Sequence, residues 1–170
     1  MEEWFDLVDE NGVLTGARAL RSECHGNPEL LHQAVHVFVV NEAGNLFLQK
    51  RSAHKDIQPG KWDTSVGGHV DAGESAGDAA KRELREELGI RNGNPVFLYH
   101  YLWRSPVESE LIRSFLLTHE GPFTLQASEI EDGCFWEPAE IEAAVGCGVF
   151  TPNFEFEWPK IRPFLEKNFT

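Results

Sequence analysis

The stretch GGHVDAGESAGDAAKRELREELGI, residues 67–90, constrains this chain more than any other. From about Ser75 to Leu88 it holds no proline and is rich in strong helix formers, and Gly89 stands where a helix would end. On a helical wheel Ala80, Leu84 and Leu88 share one stripe. Glu83, Glu86 and Glu87, three and four residues apart, share the adjoining one. Like charges at that spacing cost an isolated helix about a few tenths of a kcal/mol per pair. A divalent cation reverses the cost, because Mg²⁺ and Mn²⁺ take carboxylate, carbonyl and water oxygens, and Mg²⁺ commonly shares its shell with substrate phosphates. The plainer alternative is a solvated helix face on which Arg82 and Arg85 neutralise their neighbours. The Gly67-Gly68 pair, read as a bend, favours the cation: glycine permits backbone angles or close approaches that bring a carbonyl or N–H into the same space. Ala76 and Ala79, earlier on the carboxylate side, leave room for a ligand.

Around that helix the chain reads as an α/β domain. Residues 4–20 place apolar runs on both sides of DENG, and Asn11-Gly12 signals a tight turn, so a small N-terminal hairpin is expected. A pair of strands follows over 30–52, turning at NEAGN. The segment 54–70 contains Pro59, Gly60, Gly67 and Gly68 and is expected to be irregular, carrying function rather than packing. Strands over 95–105 and 111–120, a short strand over 129–138, a helix over 138–145 and a last helix over 158–167 complete the pattern. Strands and helices mix without strict βαβ alternation, which favours a mixed sheet covered by helices.

With 170 residues, 41% hydrophobic and 25% charged, the chain has the balance of one globular domain spanning 1–170. Its longest apolar stretch, AVHVFVV (34–40), is broken by His36 and falls far short of the roughly 20 residues a membrane helix needs. The start is acidic where a secretory signal would be basic and then apolar. Cys24, Cys134 and Cys147 form no CxxC pair, so a reducing cytoplasm is the expected setting. A formal net charge of −13 would repel nucleic-acid polymers. It would also repel a small anionic substrate unless a bound cation or a local basic cluster reversed the field at the site.

Gly68, Glu74, Arg82, Glu83, Leu84, Glu86, Glu87, Gly89 and Ile90 fit the full pattern GX5EX7REUXEEXGU, with U aliphatic, and on these residues the chain resembles the Nudix hydrolases. The resemblance implies an α/β/α sandwich around a mixed sheet, and hydrolysis of a diphosphate linked to another moiety. It implies Mg²⁺ or Mn²⁺ held by Glu83, Glu86 and Glu87 with the Gly68 carbonyl, and Arg82 with Glu74 as an orienting pair beneath them. The ion would polarise a phosphoryl oxygen and help make hydroxide from bound water.

Outside that box the chain is similar to the subgroup that includes isopentenyl-diphosphate isomerase. KRSAHKDIQPGKWDTSVGGHV follows the isomerase's basic pair, its Lys four residues later, PGxW and xSVCGHP, and VESE (107–110) resembles its VENE segment. The likeness brings in His25, His32 and His69, with Glu108 and Glu110, as a further metal cluster, and Arg51 and Lys55 as cations that grip diphosphate. Plainer alternatives stand beside these: histidines bonded to backbone, and ordinary surface cations after a strand. Gly67 stands where the isomerase carries its reactive Cys and has no side chain to move a proton, which turns the expectation from isomerisation to phosphoanhydride cleavage. Glu110 is the first choice for general base, with Glu108, Glu129 and Glu131 as competitors. Tyr99, Tyr101 and Trp103 share a strand face and either stack on a nucleobase or pack inward, with packing favoured. The expected protein is a metal-dependent hydrolase of a small nucleoside diphosphate derivative or related diphosphate, monomeric or homodimeric. An isomerase-like enzyme and a non-catalytic nucleotide or diphosphate sensor are the alternatives.

Overall fold

The computed structural model describes residues 1–169, with side chains through Glu166. In chain order the described residues form β1 (Trp4–Val8), β2 (Leu14–Leu20), α1 (Arg21–Cys24), β3 (Leu31–Val40), β4 (Leu46–Arg51), β5 (Trp62–Asp63), β6 (Val66–His69), α2 (Ala76–Leu88), β7 (Val96–Arg104), β8 (Ser109–Thr118), β9 (Ile130–Trp136), α3 (Pro138–Ala144) and α4 (Pro152–Phe169). β1 and β2 are the expected hairpin: the Asp9 carboxylate accepts from the N–H groups of Asn11 (2.9 Å) and Val13 (3.0 Å), and Gly12 turns the chain at φ 81°.

β3 organises the sheet. It runs parallel to β8 from Leu31↔Ser109 to Val40↔Thr118, and β7 adds to β8 antiparallel. Its other edge is shared: β1 meets it at His32, β6 pairs with Ala34 to Val37, and β4 touches it at Val40. β4 carries the sheet on by pairing with β5 and β9. Side chains alternate along β3. Val35, Val37 and Val39 join Val66, Phe115, Leu84 and Leu88 on the α2 side, while Phe38 and Val40 join Leu46, Ile141, Phe154, Trp158 and Ile161 on the α3–α4 side. Both faces are covered, which explains the nearly continuous apolar run of β3. The architecture is the expected mixed sheet between helical layers.

Two expectations give way. Gly67 and Gly68 do not form a bend; they lie in β6, paired with His36 and Val35. The backbone ladder to β3 extends the last part of 54–70, and the glycines are there for close approach. The last helix begins at Pro152 rather than 158, and it runs through Pro159 and Pro163. Each proline removes a helical hydrogen bond. Phe154, Trp158, Ile161 and Leu165 nevertheless bury one stripe against the sheet, and Thr151 accepts from Phe154 N–H (3.2 Å) at the helix start. Among the described residues no helix is long and apolar enough to cross a membrane.

Candidate active-site cleft

α2 starts at Ser75, whose hydroxyl accepts from Asp78 N–H (3.1 Å), and closes at Gly89 in the left-handed region, φ 72°. Leu84 and Leu88 anchor it in the core, each contributing about 1.5–3 kcal/mol by burial. That anchoring turns Glu83 and Glu87, 9% and 8% exposed, into the wall of a cleft, while Glu86, one step further round, stays exposed. Gly68 lies against this row. An added Cβ would stand 2.1 Å from the Glu83 carboxyl carbon, so only glycine lets the β6 backbone come so close.

Arg82 ties the row together. Its Nε and Nη2 donate to the two oxygens of Glu74 at 2.9 and 3.0 Å, and Nη2 also to the His69 carbonyl at 2.9 Å. Nη1 donates to Glu83 at 2.7 Å and Glu86 at 3.4 Å. One planar guanidinium therefore fixes the loop before α2, the end of β6 and two carboxylates. Glu87 accepts from Gln49 Nε2 at 2.8 Å. Burial, reinforced by the charge of Glu83, pushes the Glu87 carboxyl up to about 8. Burial also raises Glu83, against the pull of Arg82. An all-oxygen donor set of this kind, short of positive charge, fits a hard divalent cation.

A second cluster opens into the same cleft. β3 supplies His32, β6 supplies His69, β8 supplies Glu110, the turn before β8 supplies Glu108, and His25 follows α1. Donor atoms of His25, His32, His69 and Glu108 lie within 4.8 Å of one another. Phe5 stacks beneath His32 with ring centroids 5.0 Å apart. His32 Nδ1 faces the Leu30 carbonyl at 3.4 Å, which leaves Nε2 as the open nitrogen. His25 Nε2, His32 Nε2 and Glu108 Oε2 are buried and make no hydrogen bond, although the first and last stand 3.0 Å apart. Buried donors left without partners fit a coordinated transition ion. Glu110 sits 3.6 Å from His32 Nε2 and 3.2 Å from His69 Nε2. Burial works to raise its carboxyl, but the imidazoles of His32 and His69 facing it hold it well below the usual carboxylate range.

The structure thus brings into the lining of one cleft of ≈ 980 Å³ the carboxylate helix, Gly68, Arg82, His25, His69, Glu108 and Glu110, together with Arg51 and Lys55. Arg51 is braced by the Ile57 carbonyl (3.1 Å) and Asp63 (3.5 Å), and Lys55 contacts Glu129. Glu131 does not line the cleft; it lies 3.8 Å from Lys50. Tyr99 and Tyr101 pack inward, their hydroxyls donating to Glu157 at 2.9 and 2.7 Å, while Trp103 lines the cleft. Sequence reasoning missed Arg21, Thr64 and His36, which also line the cleft, and Glu157 behind His36. A signal existed for the last two. His36 interrupts the apolar run AVHVFVV and Glu157 stands between aromatics in FEFEW, and an ionisable residue in such a setting needs a partner if it is buried.

A family model described as the NUDIX domain matches residues 30–154. The chain is 37% identical over 161 residues to an uncharacterised Nudix hydrolase of Listeria monocytogenes, covering 91% of this chain and 90% of that one. It is 34% identical over 155 residues to the uncharacterised Nudix hydrolase YfcD of Escherichia coli (strain K12), covering 89% and 82%. The crystal structure of DR0079 from Deinococcus radiodurans is similar with a TM-score of 0.80 and 26% identity, covering 93% of this chain and 98% of that one.

Proposed function

The chain belongs to the Nudix hydrolase family, and from that premise we propose that it is a metal-dependent pyrophosphohydrolase acting on a small nucleoside diphosphate derivative or related diphosphate. The observation that carries this reading is that oxygen donors for a divalent ion and the cations Arg51 and Lys55 open into one cleft. Glu83, Glu86 and Glu87, with the Gly68 carbonyl, would hold Mg²⁺ or Mn²⁺. His25, His32, His69 and Glu108 would hold a second ion of the kind that suits imidazole. Such ions supply neutralisation of phosphoryl charge and a bound water of lowered pKa. Arg82 and Glu74 keep the carboxylates in place, Arg51 and Lys55 bind diphosphate oxygens, and Glu110 takes a proton from the attacking water as the bridging P–O bond breaks. Glu108 is the competing base. Residues 1–170 would act as one Nudix domain in the cytoplasm, as a monomer or homodimer, on small molecules rather than nucleic-acid polymers.

The test is a panel of nucleotides, dinucleotides, nucleotide sugars and prenyl diphosphates with Mg²⁺ and Mn²⁺. Glu86→Gln and Glu87→Gln should each slow turnover of the best substrate roughly 100-fold or more. If neither does, the metal-helix assignment is wrong. Conversion of isopentenyl diphosphate to its allylic isomer without phosphate release would favour the isomerase-like reading, which has no side chain at Gly67 to carry it. Tight binding without turnover anywhere in the panel would favour a sensor.

A further inference from the structure

The cleft has a wall on the α4 side that the mechanism above does not use. His36 lines it, and its Nδ1 donates to Glu157 Oε2 at 2.6 Å. Glu157 has no exposed surface. Its carboxylate also accepts from the hydroxyls of Tyr99 (2.9 Å), Tyr101 (2.7 Å) and Ser114. Burial works to raise this carboxyl, but the charge and hydrogen bond of His36, with the hydroxyls of Ser114 and Tyr101, hold it below the usual range, so Glu157 is held as a carboxylate. A buried carboxylate requires a cation, and His36 is its ion-pair partner. Burial by itself would lower the imidazole pKa, but the charge and hydrogen bond of Glu157 raise it to about 9. The ring is an imidazolium with a second N–H at Nε2, and Glu157 is its only hydrogen-bonding partner among the described residues.

Gly67 lies beside the free edge of that ring. An added Cβ would stand 3.3 Å from His36 Cδ2 and 3.7 Å from Nε2, so a side chain there would cover the second N–H. His32, Ala34 and His36 are successive residues on one face of β3, spanning about 13 Å at the usual strand rise. Between the histidine cluster and His36 the floor is therefore Ala34 and Gly67, the two smallest side chains available. Thr64 lines the same cleft, is 2% exposed, and its hydroxyl has no hydrogen-bond partner.

We propose that His36, held in place by Glu157, is a substrate-binding cation whose Nε2–H donates to a phosphate oxygen of the diphosphate, on the side of the cleft away from α2. This rests on the hydrolase reading above and adds a contact to it. Glu157 is a positioning residue, acting through the ring.

The test uses the full chain with Mg²⁺ and imidodiphosphate, a diphosphate that resists hydrolysis, as the probe. Nitrogen-15 NMR of the histidine rings should find protons on both nitrogens of His36 near neutral pH, and a shift at Nε2 as the probe binds. The double variant His36→Gln/Glu157→Gln leaves no orphaned carboxylate. It should bind the probe about 10-fold or more weakly, the worth of a charge-assisted hydrogen bond, and raise KM for the best substrate more than it lowers kcat. Gly67→Cys, which places a side chain against the open ring edge, should weaken binding in the same direction. An Nε2 signal unmoved at saturating probe, a double variant that binds like the wild type, or no probe binding at all overturns the assignment. If the wild type hydrolyses nothing in the substrate panel yet Nε2 still shifts, the hydrolase reading fails and this one stands. If Glu87→Gln abolishes turnover while His36 is indifferent to the probe, this one fails alone.

Discussion

Glu87 and Glu157 are the same residue type, each buried against the same sheet, one on the α2 side and one on the α4 side, and they behave in opposite ways. Glu157 is met by His36, two tyrosine hydroxyls and Ser114. Burial works to raise its carboxyl, but His36 overcomes it and holds the group below the usual range. Glu87 has Gln49 and a like charge, Glu83, and rises to about 8. The contrast shows that burial does not decide what a carboxylate is for; its partners do. Glu157 is complete within the protein. Glu87 is left short of positive charge, the condition under which an incoming cation is bound strongly.

The comparison breaks first at Glu157. Glu157→Ala leaves His36 buried without its counter-charge and should destabilise the fold by about 3–5 kcal/mol, read from urea unfolding. Equal midpoints for variant and wild type would mean the pair is not the internal lock described here. Glu87→Gln should do the reverse: about 2.7 kcal/mol of transition-state stabilisation is lost, the equivalent of 100-fold in rate, while the metal-free protein melts no lower than the wild type. Gly68→Ala sharpens the contrast on the α2 side. The added methyl meets the Glu83 carboxyl and Cγ, and Glu83 must leave its pairing with Arg82 to make room, so stability should fall by about 1–2 kcal/mol. Turnover should fall because a carboxylate has been moved.

Stability against pH separates the two sides most finely. His36 is raised from 6.5 to about 9, so its contribution is complete below 6.5 and is lost as pH climbs through 9. Glu157 is depressed, so its contribution is present above 4.5 and is lost as pH falls through its lowered value. Glu87 is raised from 4.5 to about 8, so in the metal-free protein stability declines between those values. Urea midpoints measured in chelator should therefore fall across both windows, from 4.5 to about 8 and from 6.5 to about 9. Glu87→Gln should remove the earlier decline only, and His36→Gln/Glu157→Gln the later one only. Persistence of both declines in both variants would sink the assignment of these groups.

Much of the molecule can be read from local pattern. The hairpin at Asn11-Gly12 and the extent of α2, from Ser75 to Gly89, follow from turn chemistry and capping within a few residues of chain. The carboxylate row is legible because helical periodicity alone puts Glu83 beside Glu87. Where local chemistry was ambiguous, pattern failed. Gly67-Gly68 suits a bend or a close-packed strand equally well, and only pairing with Val35 and His36 selects the strand. Pro159 and Pro163 argue against a long helix until the apolar stripe of α4 finds the sheet it covers.

By itself the sequence determined most of the elements and the acidic ridge, because those depend on spacings of three, four or two residues along one backbone. The tertiary structure alone decided which charges are paired and which are left open. His36 meets Glu157 across 121 positions of chain, and the donors of the histidine cluster come from four separate segments. Electrostatic partnership falls off within a few ångströms and takes no account of sequence distance, so it exists only once the sheet has closed.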